Sequence, residues 1–473
     1  MAHTGNQDKD WAQTEFGTAE LGDKRRTARL VQLAQRLGEQ PEVSLPQALE
    51  HTAALKGAYR FFDNADIAHE RVLAPHVLSS IRRMDSQPVV LAVQDTSYLD
   101  YATHRATEAL GPLNAEGGHG MIMHTTLAVT PERLPLGVLS LRLWARDAAK
   151  PRQRVSRRSR AIQDKESHKW IESVQVVAAL KEHLPGTRLV SVAERESDVF
   201  EFFLEAQKLG VDVLARAAYD RNLIGTEAQL FASLAQAPVL AHKHLALPAR
   251  GKRKARTAKL QIRACPLVLH APANGMARAL PPLALWGVWA YEPEPPQGVE
   301  PLDWKLLTSV PVITAHDALE RLKWYAARWG IEQWHKILKD GCRIEMRQLQ
   351  SAERLKRLIT VYAVIAWRIF YATLLARLVP DIACTALLQQ EEWEALYCRI
   401  HHTPIPVAIP PPLRQTVRWI ARLGGFLARP GDGEPGSKTL WNGFQHLIAM
   451  TEMYRIMKPH MPATPPLPSK KCG

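Results

Sequence analysis

The apolar positions of this chain change period along its length, and each change predicts a different element. Over residues 24–37 they recur at helical spacing: Leu30, Leu33, Ala34 and Leu37 share one face, and Asp23 stands where an N-cap belongs. Residues 89–93 are an unbroken apolar run of the kind a buried strand shows, and the run stops at Gln94 and Asp95. MIMHTTLAV and PLGVLSLRLW predict two more strands around the turn-forming PERLP. A long helix is expected over about 161–183, then strand, loop and helix in TRLVSVAERESDVFEFF. From about 217 to 312, QLFASL, HLALPA, KLQIRACPLVL and LALWGVWAY predict a mostly β insertion. Helical spacing then returns at 325–339, 352–378 and about 385–400. A helix–loop–helix follows the proline-rich TPIPVAIPPPL, which reads as a stiff linker. The pattern describes an α/β core flanked by helical regions.

The stretch YAARWGIEQWHKILK, 325–339, carries the densest chemistry. Trp324, Ala327, Ile331, Trp334 and Leu338 form an apolar stripe. On the other side, Tyr325, Arg328, Glu332 and Lys339 follow one another by three, four and seven residues. At about 100° per residue they fall within a ~60° sector. One carboxylate among cations suits metal-assisted phosphoryl chemistry, with the carboxylate on a divalent metal and the cations on phosphates. A solvated face with an Arg328–Glu332 ion pair has the same spacing.

Charge narrows the choice of partner. The chain has 473 residues, 46% of them hydrophobic, enough for two or three domains. Its net charge of +14 favours a polyanion, either nucleic acid or an anionic membrane surface. Unbroken apolar runs such as 361–367 fall far short of the ~20 residues of a membrane span, so no membrane partner is expected. No signal peptide is read in the polar MAHTGNQDKDW, and five cysteines without a CxxC pair indicate neither a disulfide framework nor a zinc site. The expected compartment is a reducing cytoplasm. Lys24, Arg25, Arg26 and Arg29 crowd the start of a helix, where cations oppose the macrodipole but a bound phosphate would be welcome. ARGKRKARTAK, 249–259, sits between strand runs like a hairpin tip, and its Lys252, Arg253 and Lys254 are candidate phosphate contacts.

Tyr-x2-Arg-x3-Glu-x6-Lys at 325–339 resembles the signature of bacterial DDE transposases of the insertion-sequence-four family, and within it the transposon-five type. LGDKRRTARL and GAYRFF resemble the N-terminal part of that type; LGGF and Trp441 resemble its C-terminal region. The resemblance implies a ribonuclease H-like catalytic core at 71–370 holding the β insertion. It also implies an N-terminal helical domain at 1–70 that grips transposon-end DNA, and a C-terminal helical dimerisation region at 371–473 with a disordered tail.

The same resemblance makes Asp95 and Glu332 catalytic metal ligands for two Mg²⁺ ions, with Mn²⁺ as a substitute. Glu194 takes the remaining position, where the family pattern has aspartate in Asp-Arg-Glu-x-x-Asp. The extra methylene moves that carboxylate by ~1 Å or more. Asp198, one turn on, is the neighbouring candidate, but it better suits a helix-start residue bonded to backbone amides. Tyr325, Arg328 and Lys339 are implied phosphate ligands, and Arg216, Arg25, Arg26 and Arg29 are further DNA contacts. Trp304 is implied to stack on a flipped base, although it also alternates with Leu302 and Leu306 as a core residue would.

The implied activity is cut-and-paste transposition. A dimer binds transposon ends, cleaves through a DNA hairpin and joins the 3′-OH to target DNA. Glu194 also suits a catalytically impaired end-binding relative that inhibits transposition. A plain metal-dependent nuclease is a third reading, and Trp304 beside the signature helix argues against it.

Overall fold

The structure, a computed structural model, describes residues 11–113, 117–147, 162–247, 255–273 and 280–460. The chain divides into two compact units. One is drawn from residues 1–79, 98–121 and 333–473, and the other from 80–97 and 122–332.

The first unit is largely helical and is organised on the helix Ala352–Leu378, which is buried along most of its length. By length and composition this helix could cross a membrane, but 83% of its most apolar window is buried inside the protein. An apolar surface on every side is what a central core helix needs. Its arginines are partnered within the unit: Arg357 donates to the carbonyls of Phe62 and Ile67, and Arg354 pairs with Asp63. The helices Lys24–Glu39 and Thr52–Asp63 pack against it. Asp23 caps the first as expected, its Oδ1 accepting from the Arg25 amide at 2.8 Å. Glu15 and His76, both buried, pair at 2.6 Å, and His76 stands edge-on to Trp367.

Towards the C-terminus, a 3₁₀ turn at Cys384–Ala386 precedes the helix Gln390–His401, in place of one helix over 385–400. The proline-rich stretch is tied down at its end, with Pro411 O accepting from the Cys384 amide at 2.9 Å and the Leu413 amide donating to Ile382 at 2.7 Å. The helices Leu413–Leu423 and Ser437–Met457 approach so closely at Gly424 and Gly443 that a Cβ on either would collide with the opposing backbone. This gives the LGGF motif a packing reason.

The strands are β1 Val89–Asp100, β2 Gly111–Pro112, β3 His119–Val129, β4 Pro135–Trp144, β5 Arg188–Ala193, β6 Asp212–Arg216, β7 Val239–Leu247, β8 Arg256–Leu269, β9 Leu283–Tyr291 and β10 Asp303–Thr308. β2 lies in the first unit and pairs with Gly120 and His119. In the second unit the sheet order is β4-β3-β1-β5-β6-β10-β9-β8-β7. β1, β5 and β6 are parallel, and β7 to β10 form an antiparallel extension joined through β10 to β6. Strands buried on both faces read as continuous apolar runs, which is why β1 and β5 stand out in the sequence. Between the two strands, Gln94 Nε2 donates to Ser191 Oγ at 2.6 Å.

Three further elements differ from the sequence pattern. QLFASL belongs to a helix, Leu230–Gln236, with Leu230 and Leu234 buried one turn apart. So short a run does not distinguish a period of two from one of 3.6. The helix expected over 161–183 is confined to His168–Ala179, between 3₁₀ turns at Ile162–Asp164 and Lys181–His183. The third is the helix of 325–339, which is not continuous. Ala315–Ala327 stops at Arg328, Trp329–Lys336 resumes, and Ile337–Gly341 is a π-turn. The wider π-turn takes Lys339 out of the 100° phase that the sequence suggests.

Candidate active site

Two neighbouring parallel strands bring the first two carboxylates together. Val93 pairs with Val192, so Asp95 and Glu194, each two residues further, come level at the carboxyl end of the parallel β1–β5 ladder, although β1 itself does not end at Asp95 as the apolar run suggests but continues to Asp100. Adjacent strands lie about 4.8 Å apart, and open α/β sheets keep their sites at these carboxyl ends. Burial, the largest influence on Asp95, pushes its carboxyl up to about 6. The charge of Arg328 and a hydrogen bond from the Thr96 amide oppose this rise, while Glu332 and Glu194 add to it.

The third carboxylate, Glu332, lies in the first turn of Trp329–Lys336, which follows directly on Ala315–Ala327, the helix that packs across β6 to β9. Thr314 and Asp317 start that helix with a reciprocal cap, Asp317 Oδ2 accepting from the Thr314 amide at 2.8 Å. Trp324, Ala327, Ile331, Trp334 and Leu338 are all buried, as the apolar stripe requires. The opposite face is solvated only in part: Tyr325 and Arg328 are buried, while Glu332 is half-exposed. Arg328 Nη2 stands 2.8 Å from Glu332 Oε1 and 3.0 Å from Glu194 Oε2. The i,i+4 ion pair therefore exists, but it is shared with a carboxylate from a distant strand. Burial works against the Arg328 charge; Glu194, Tyr325, Glu332 and Asp95 outweigh it and raise the guanidinium above its ordinary value.

Two more polar groups close around Glu194. The Tyr325 hydroxyl donates to Oε2 at 3.1 Å, and Arg216 Nη1 stands 3.6 Å from Oε1. Arg216 ends β6 opposite Leu306 of β10, and its Nη2 donates to the Asp303 carbonyl at 3.0 Å. Burial, helped by the Glu194 charge, pushes the Tyr325 phenol up to about 12, so it remains a proton donor. Trp304 lies on the same face of β10 as Leu306, and its ring meets Tyr325 edge-on with centroids 5.9 Å apart. Leu306 is fully buried while Trp304 is half-buried, so Trp304 sits at the rim of the site rather than in the core.

Asp198 takes the structural alternative. Its carboxylate accepts from the Ala218 and Tyr219 amides at 2.7 and 3.0 Å and is gripped by Arg221 at 2.5 and 3.1 Å. With its oxygens so engaged it is a loop anchor, and its partner Arg221 escapes a reading of the sequence because nothing local pairs the two. The burial of Arg328 between carboxylates likewise carries no sequence signal.

The remaining candidates are placed separately. Lys339 belongs to the first unit, where its Nζ donates to the Tyr98 carbonyl at 2.6 Å and pairs with Glu345 at 3.1 Å. Arg25 is exposed and pairs with Asp23; Arg26 reaches the Leu21 carbonyl and Asp66; Arg29 is half-buried beside Gly57. Lys252, Arg253, Lys254 and the tail lie outside the described residues. Arg256, near the end of that basic cluster, is neutralised by Glu292.

Asp95, Glu194 and Glu332 offer hard oxygen donors of the kind Mg²⁺ prefers. Among the described residues, however, no three Asp, Glu, His or Cys side chains are disposed to hold an ion. The oxygens of Glu194 and Glu332 are turned onto Arg328, Tyr325 and Arg216 instead.

Comparison with known proteins bears on the chain at two places. A transposase DNA-binding family matches residues 8–67, and the Tn5 transposase dimerisation domain matches residues 364–461. Among solved structures, the chain is similar to a piggyBac transposase synaptic complex with hairpin DNA seen by cryo-EM. That likeness spans 98% of this chain and 82% of the other at 8% identity, with a TM-score of 0.37. It is too slight to bear on fold or function. The two domain matches support a Tn5-like DNA transposase that binds DNA and dimerises.

Proposed function

We propose that this chain is a cut-and-paste transposase of the insertion-sequence-four type. It would cut transposon ends through a DNA hairpin and join the 3′-OH to target DNA. The observation that carries this reading is the gathering of Asp95, Glu194 and Glu332 around Arg328, with Tyr325 and Trp304 alongside. The antiparallel pair β3–β4 beside the parallel β1, β5 and β6 supports a ribonuclease H-like core, with acidic residues on β1 and just after β5.

Asp95, Glu194 and Glu332 are the residues that would hold two Mg²⁺ ions, or Mn²⁺ in their place. When bound, the ions stabilise both the attacking and the leaving oxygens of an in-line displacement at phosphorus. Arg328 and Arg216 would take the charge of the phosphate, and Tyr325 would donate its phenolic proton to a phosphate oxygen. Trp304, at the rim, would stack on an unpaired base. Lys339, Arg25, Arg26, Arg29, Lys252, Arg253 and Lys254 are proposed DNA contacts on charge and resemblance.

A second reading, an end-binding relative that inhibits transposition, is favoured by one observation: Glu194 is longer than the family aspartate and is tied to three polar partners. Incubating the protein with duplex from the flanks of its own gene and Mg²⁺, then resolving the products, separates the two. Nicked and then hairpin ends support the transposase. Binding without cleavage in either Mg²⁺ or Mn²⁺ supports the inhibitor.

A further inference from the structure

Glu194 lies in a cationic clamp, and each member of the clamp is a residue suited to phosphate. Arg328, Arg216 and the Tyr325 hydroxyl all face its carboxylate, and Arg328 also binds Glu332. Arg328 therefore competes directly with any divalent cation for Glu194 Oε2 and Glu332 Oε1. An arginine in a protein cannot shed its proton, so the competition ends only if the guanidinium finds another anion. With its side chain only 4% exposed, Arg328 has little access to solvent ions. A phosphodiester entering the site brings the anion to it, in a form that a guanidinium binds through two parallel hydrogen bonds.

We infer that the metal site is gated by its DNA: backbone phosphates draw Arg328, Arg216 and Tyr325 off the carboxylates, which are thereby released to bind metal. This rests on reading the three carboxylates as the metal site. It gives the chain a reason to stay idle without an end bound, since the ligands of the reaction are engaged internally until substrate arrives. Linkage makes the effect reciprocal, so whatever factor DNA adds to metal affinity, metal adds to DNA affinity. The longer side chain at 194 fits this role, because its extra methylene extends the reach of the carboxylate towards Tyr325 and Arg216.

The test is Mn²⁺ titration of the full chain, followed through the paramagnetic resonance of free Mn²⁺, with and without a short end duplex. Wild type should bind Mn²⁺ about 10-fold more tightly with duplex, within the usual range of coupling between sites. Arg328→Met should bind about 10-fold more tightly than wild type without duplex and gain little on its addition. Tyr325→Phe keeps the packing against Trp304 and should show a smaller rise, so the test stands even if Arg328→Met fails to fold. Glu332→Ala should lose binding in both states. If wild type is indifferent to duplex, and Tyr325→Phe and any folded Arg328→Met bind like wild type, gating is refuted, while loss in Glu332→Ala keeps the site. If Glu332→Ala binds like wild type throughout, the carboxylates are not the metal site and both readings fall.

Discussion

Replacing Asp95 by asparagine should stabilise the protein while abolishing cleavage, and the size of the gain follows from the surroundings of the carboxyl. Burial pushes it from 3.8 to about 6, with Glu332 and Glu194 adding to the rise. A group whose folded value is raised favours the native state below its unfolded value and loses that contribution as pH climbs through the folded one. The window here runs from about pH 4 to about pH 6. Above it, wild type carries the penalty of an ionised carboxylate in a crowded site. Two units at 1.36 kcal/mol each set a ceiling of about 3 kcal/mol, and relaxation around the charge reduces it to about 1–2. Asparagine keeps the shape and never ionises. Hydrogen exchange of the β1 amides in chelator reads the second unit directly: at pH 7.5 they should be better protected in Asp95→Asn, and the advantage should vanish near pH 4. Protection that runs in parallel for the two proteins across this range would refute the crowded, buried carboxyl.

Other perturbations separate structural from functional residues. Asp198→Ala leaves the part-buried Arg221 with the residue-198 carbonyl but no carboxylate, and the Ala218 and Tyr219 amides without their acceptor, and should cost about 3 kcal/mol in denaturant melts; a neutral result would return Asp198 to the candidate metal ligands. Binding to an end duplex should fall linearly in log K against log salt, and neutralising Lys252, Arg253 and Lys254 together should reduce the slope by about 1 for each phosphate they neutralise. An unchanged slope would remove that cluster from the DNA surface. Trp304→Ala should slow hairpin formation more than first nicking, by the ~1–3 kcal/mol of one base–aromatic stack; equal slowing of both steps would make Trp304 a packing residue only.

What the sequence discloses divides along physical lines. Strands buried on both faces announce themselves as apolar runs, so the runs that lead to Asp95 and Glu194 are legible, while the continuation of β1 to Asp100 is not. The stripe from Trp324 to Leu338 is legible for the same reason, because burial demands periodicity. Interactions between distant elements leave no such trace. Nothing near Glu332 signals that Arg328 also holds Glu194, and nothing near Asp198 points to Arg221. The break at Arg328 and the π-turn at Ile337–Gly341 escape detection because single-residue slips hardly alter the spacing of apolar side chains. Leu230–Gln236 is easily misread because two apolar residues a turn apart fit either period.

On the proposed reading, Glu332 serves the chemistry and not the grip on DNA, and one preparation of Glu332→Ala puts this to the test. Gel shift in chelator, which keeps metal linkage out of the binding, and Mg²⁺-dependent cleavage are measured side by side on the same labelled end duplex. End binding should stay close to wild type while cleavage disappears, because the substitution removes a metal ligand and leaves every phosphate ligand in place. Cleavage that survives the substitution would take Glu332 out of the catalytic site and the proposed chemistry with it.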